Sequence, residues 1–202
     1  QSANAYAGTQ AGSVTSATGY ARHTFAGAET DVWTDLLVQP VFDGGSTTNP
    51  PAGSSFAFYV NGGGNVVVYN GTSTQTLATT VIENEWTRFA VHSDYNATNW
   101  ALYVDGALAI ENLSFFDSGA TAFTEFGLIA GAGESNAPVD NVSITTTPPS
   151  SVQPFVTFVA LATNVAESVG VVTGYVNLNL KLIPLVSTLV RRRLCLLRLE
   201  TG

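Results

Sequence analysis

Arg88 and His92 stand four residues apart in WTRFAVHSDY (86 to 95), and Tyr103 stands in WALYVDGALAI (100 to 110). All three have side chains that could hold a polar ligand. Strand side chains alternate with a period of two, so Arg88, Ala90 and His92 share the face opposite Phe89 and Val91, while Tyr103 points away from Leu102. The same parity in SSFAFYV (54 to 60) turns Phe56, Phe58 and Val60 inward and Tyr59 outward. Flat sugar faces stack on aromatic rings, and sugar hydroxyls need charged or amide partners. Tyr59, Arg88, His92 and Tyr103 on one exposed sheet face would therefore form a glycan-binding platform. Tyrosines that merely cap an exposed sheet give the same pattern, and the sequence leaves both readings open. Trp86 and Trp100 are expected in the core or at its rim.

No catalytic residue emerges. A retaining glycosidase needs two carboxylates about 5 Å apart, and the nearest cluster, Glu83-Asn84-Glu85, lies at a turn where adjacent acids point apart. His23 and His92 are the only histidines, and neither accompanies a Gly-x-Ser-x-Gly nucleophile motif. Phosphate loops, dinucleotide fingerprints and zinc spacings are missing, and Gly62 to Gly64 read as turn glycines. The single cysteine, Cys195, allows no intramolecular disulfide and no cysteine-based zinc site. The chain is expected not to be an enzyme.

The elements that must position these residues are strands. Asp105-Gly106 between apolar runs is a strong hairpin signal, because a type I′ turn needs positive φ at both central residues. Asn61 to Gly64 marks a second hairpin and Asn70-Gly71 a third turn. Strand-like runs at 32 to 42, 54 to 60, 65 to 70, 74 to 82, 86 to 95, 100 to 105, 107 to 113, 123 to 131 and 139 to 146 follow one another with no amphipathic helix between them. That succession predicts an all-β, antiparallel two-sheet sandwich.

Trp86 followed by Phe89, Val91 and Asp94, the Trp-x-Leu-Tyr-Val-Asp-Gly hairpin at 100 to 106, and Val-Asp-Asn-Val-Ser-Ile at 139 to 144 together resemble laminin G-like and concanavalin A-like jelly rolls. The resemblance spans residues 12 to 147, within a first domain set at 1 to 147. It implies two curved sheets packed face to face, and calcium at the sheet edge with an acid near the last strand as one ligand. Asp140 holds the matching position, with Asp31, Glu29 or Asn141 to assist. Hard cations want oxygen ligands, and this part of the chain has little competing positive charge. Asp140 could equally cap its strand by accepting backbone amides.

Residues 148 to 154 form a Pro/Ser linker expected to stay extended. Residues 155 to 179 resemble the opening of a Calx-β domain through Val156, Phe158, Val165, Glu167 and Gly170, so 155 to 202 reads as a truncated second β segment. Its end is atypical. Lys181, Arg191, Arg192, Arg193 and Arg198 crowd the last residues, whereas residues 1 to 180 carry 2 basic and 14 acidic side chains, a net −12. The apolar stretch 182 to 190 is far short of the ~20 residues needed to span a bilayer. An interfacial or partner-binding helix, touching a partner or a membrane surface, and a shifted reading frame are the other readings.

An acidic chain, net −8 overall with pI near 4.5, lacks the basic footprint that nucleic acid requires. The expectation is a carbohydrate-binding or adhesion module of an exported bacterial surface protein, secreted or displayed on the cell surface, whose partner is a glycan or cell-surface polysaccharide. A structural surface or filament subunit, with homo-oligomer or assembly contacts, is the alternative. A glycan hydrolase or lyase comes third. The chain opens at Gln1 with no charged or apolar leader, so any export signal is expected to have been removed or to lie outside this sequence.

Overall fold

The computed structural model describes residues 5–8, 11–14, 20–42, 49–129 and 137–152. The Calx-β-like segment and the basic tail lie outside the described residues, in a separate unit that begins at Pro154. Ten strands follow in chain order: β1 Tyr20–Glu29, β2 Asp31–Val38, β3 Phe58–Val60, β4 Asn65–Asn70, β5 Ser73–Thr80, β6 Thr87–Asp94, β7 Asn99–Val104, β8 Ala107–Ser114, β9 Phe123–Ile129 and β10 Val139–Thr145. They pair antiparallel in three sheets, β10-β2-β6-β7-β8, β3-β4-β5 and β1-β9. The described residues form the expected all-β antiparallel sandwich.

Alternation builds its core. Val32 and Leu36 of β2, Phe89 and Val91 of β6, Trp100, Leu102 and Val104 of β7, and Leu113 of β8 face Val66 and Val68 of β4 and Leu77 of β5 in one cluster. Phe89 and Leu102 are fully buried, and each such side chain contributes about 1.5–3 kcal/mol of transfer free energy. The Asp105-Gly106 turn has φ of 49° and 83°, the conformation expected of it. Asp105 does more than turn the chain, because its Oδ1 accepts the Arg88 amide at 2.9 Å and its own amide donates to the Arg88 carbonyl at 2.8 Å. The hairpin is thereby tied to β6.

Three expectations need correction. β1 has no counterpart among the expected strands, because its ten residues are exposed on both faces apart from Phe25 and carry no alternation. The run 54 to 60 yields only the three-residue β3, with Ser54 and Ser55 instead accepting the amides of Asp117 and Phe116 through their carbonyls. The linker does not simply extend, since Val152 donates to the Pro149 carbonyl in a turn at 3.1 Å. That turn brings Ser151 beside Asp35 of β2.

Candidate functional site

β2 and β6 pair over their full length, with Asp31 opposite Asp94, Trp33 opposite His92, Asp35 opposite Ala90 and Leu37 opposite Arg88. Since Val32, Leu36, Phe89 and Val91 are committed to the core, Asp31, Trp33, Asp35, Arg88 and His92 point to the outer face of the five-stranded sheet. β7 adds Tyr103 opposite Ala90 and Ala101 opposite His92. Arg88, His92 and Tyr103, expected on one face, are brought together there.

The cluster is tightly coupled. The His92 ring stacks on Trp33 with centroids 4.4 Å apart and planes 14° from parallel, and Tyr103 lies 5.4 Å from Trp33 at 44°. His92 Nε2 is 2.8 Å from Asp31 Oδ1, and Arg88 Nη1 donates to Asp35 Oδ2 at 3.0 Å. Trp33 and Asp35 are buried, while Arg88, His92 and Tyr103 are half-buried and Asp31 and Glu111 are exposed. Burial pushes the Asp35 carboxyl above its ordinary range, with the Arg88 guanidinium and Ser151 opposing the shift. Burial, followed by the Glu111 carboxylate, also pushes the Tyr103 phenol up, so its hydroxyl stays a neutral donor and acceptor at physiological pH.

Tyr59 does not join this face. It lies on β3 opposite Val67, with its ring 6.4 Å from that of Tyr69, and so belongs to the three-stranded sheet. There it lines a cleft of about 900 Å³ between β3 and β9, together with Tyr20, Tyr69 and Phe126. Alternation alone placed Tyr59 outward correctly, but strand parity carries no information about which sheet a strand joins.

Asp31 and Asp140 do not share a cation site. Asp140 pairs with Leu37, six residues along β2 from Asp31, which separates them by roughly 20 Å at a strand rise of about 3.3 Å. The Asp140 carboxylate is occupied by main-chain donors, with Oδ2 accepting the amides of Tyr6 and Ala7 and Oδ1 that of Asn141. The capping alternative describes its surroundings, and the pair does not fit a single calcium centre. Among the described residues no group of three or more His, Cys, Asp and Glu side chains could hold a metal ion.

Two features escaped the reading of the sequence. Trp33 anchors the cluster, and the signal for it was present in DVWTDLLV, where Asp31, Trp33 and Asp35 recur at every second position. The second is the carboxylate pair Asp31–Asp94, directly opposite across β2 and β6, a placement that puts Cβ atoms about 4.5–5.5 Å apart. Asp94 Oδ1 is taken by the turn amides of Asn96 and Ala97 at 2.9 and 3.0 Å, and the Asp31 side chain is 62% exposed.

No family model matches the chain, and no curated protein matches its sequence. Solved structures do resemble it. A sialidase is 11% identical at a TM-score of 0.50 over 63% of this chain, and the chain spans only 14% of that protein's length. The binding domain of botulinum neurotoxin serotype D is 11% identical over 69% of this chain and 39% of its own, at a TM-score of 0.47. A heptameric pentraxin from Limulus polyphemus is 13% identical over 62% of this chain and 68% of its own, at 0.42. At such identities the likeness concerns fold alone, that of an antiparallel β-sandwich.

Proposed function

We propose that the chain is a non-catalytic carbohydrate-binding module of an exported bacterial surface protein, and that it binds glycan on the outer face of the five-stranded sheet. The observation that carries this reading is the His92–Trp33–Tyr103 aromatic cluster, flanked on the same face by Asp31, Asp35 and Arg88. Trp33, buried beneath, holds the His92 imidazole flat. The half-buried rings of His92 and Tyr103 offer an apolar surface to the C–H face of a pyranose. The side chains around them offer fixed donors and acceptors to its hydroxyls. Such a platform needs no metal, and calcium has no place in it.

The test is a glycan array on the full chain, with and without a calcium chelator, alongside His92→Ala, Tyr103→Ala and Tyr59→Ala. The expected result is chelator-insensitive binding that falls at least tenfold in the His92 and Tyr103 variants and persists in Tyr59→Ala. Binding lost only in Tyr59→Ala would move the site to the cleft on the other sheet. A folded chain that retains no glycan would overturn the reading in favour of a structural surface subunit.

A further inference from the structure

Resting on that reading, we infer that the five-stranded face takes neutral pyranose units and rejects acidic sugars, because among the described residues every arginine or histidine on that face is already paired with a carboxylate of the protein itself.

Arg22 and Arg88 are the only Lys or Arg residues before position 181. Arg22 belongs to β1 and lies 3.6 Å from Glu125 of β9, away from the face. Arg88 is on the face, but its Nη1 is held by Asp35 at 3.0 Å. Asp35 is buried against the sheet, so the guanidinium cannot turn to a ligand without leaving a buried carboxylate unpaired. His92, the remaining candidate on this face among the described residues, directs Nε2 to Asp31 at 2.8 Å, and its ring is fixed on Trp33.

Around these paired groups the accessible charge is negative. Asp31 lies opposite Asp94 at one end of the β2–β6 pair, and Glu111 of β8 is close enough to Tyr103 to disfavour its phenolate. An incoming acidic sugar would lose its hydration and meet like charge, whereas a neutral sugar stacks on His92 and Tyr103 and donates its hydroxyls to the same carboxylates. Adjacent hydroxyls suit a carboxylate, which accepts through two oxygens.

The experiment compares matched neutral and acidic ligands on the full chain, lactose against sialyllactose and galactan against polygalacturonate, within a wider array of such pairs. For every pair bound, the acidic member is expected to bind at least tenfold more weakly. Glu111→Gln, an exposed change that leaves the core untouched, should narrow that gap. Asp35→Asn, which releases the Arg88 guanidinium, should narrow it further by raising acidic binding relative to neutral binding. Acidic members that bind as tightly as their neutral partners, or a gap that neither variant moves, would overturn the inference while leaving the glycan-binding face standing. No binding to any glycan by the folded chain would overturn the parent reading, and the selectivity with it.

Discussion

Asp140 shows how one side chain can join distant parts of the chain. It accepts amides from Tyr6 and Ala7, more than 130 residues away in sequence, as well as from its neighbour Asn141. Chiefly the Ala7 amide, then those of Asn141 and Tyr6, hold its carboxyl below the ordinary value of 3.8. A carboxyl with a lowered native pKa adds stability that is fully present above its unfolded value and is lost as pH falls through the lower folded one. Asp140→Asn should therefore lower the urea midpoint at pH 7 and converge with the parent chain as the pH drops below that range. Parallel curves at all pH values would remove the charge-assisted bonds from the account. Asp35 acts with the opposite sign. Its raised carboxyl pKa means that its charge costs stability at neutral pH, a cost relieved as pH falls through the folded value.

Turns decide which strands meet, and the β3–β4 connection illustrates the constraint. Asn61 Oδ1 accepts the amides of Gly63 and Asn65, each at 3.0 Å. Gly64 has a φ of 78°, and a Cβ there would sit 2.9 Å from Phe42 Cε2 and 3.0 Å from the Val81 carbonyl oxygen. Gly64→Ala should cost roughly 2–4 kcal/mol, combining left-handed strain with overpacking. Gly71→Ala, with a φ of 59° and nothing within 4 Å of its Cβ, should cost only about 1–2 kcal/mol of strain. Equal losses in denaturant midpoint would mean that the Phe42 contact yields freely. The Asp105-Gly106 and Asn61 turns were legible because their chemistry is local. β1 was not, because a ribbon paired only to β9 and exposed on both faces has no reason to alternate.

At the scale of the whole molecule, charge is the dominant sequence property. Residues 1 to 153, the first compact unit, hold 13 acidic side chains and 2 arginines, and both arginines are already paired. Uncompensated repulsion of this kind disfavours the compact state and is screened by salt. Raising NaCl from about 10 mM to about 1 M shortens the screening length from about 30 Å to about 3 Å, so the melting temperature of this unit should rise. A flat or falling melting temperature would show that local pairs, not the summed field, set its electrostatics. The half-buried Arg88–Asp35 pair should contribute little to the salt response, because buried pairs are screened least.

The sequence by itself determined the class of fold, the two-residue hairpin, the inward set Phe89, Val91, Trp100, Leu102 and Val104, and the outward direction of Arg88, His92 and Tyr103. All of these follow from period-two alternation and turn chemistry, which act over a few neighbouring residues. Only the tertiary structure decided which outward residues share a sheet. It placed Trp33 beneath His92, set Asp35 on Arg88, moved Tyr59 to the other sheet, and put Asp31 and Asp140 at opposite ends of β2. The physical reason is that strand parity fixes in or out, whereas neighbourhood depends on register between segments far apart in the chain.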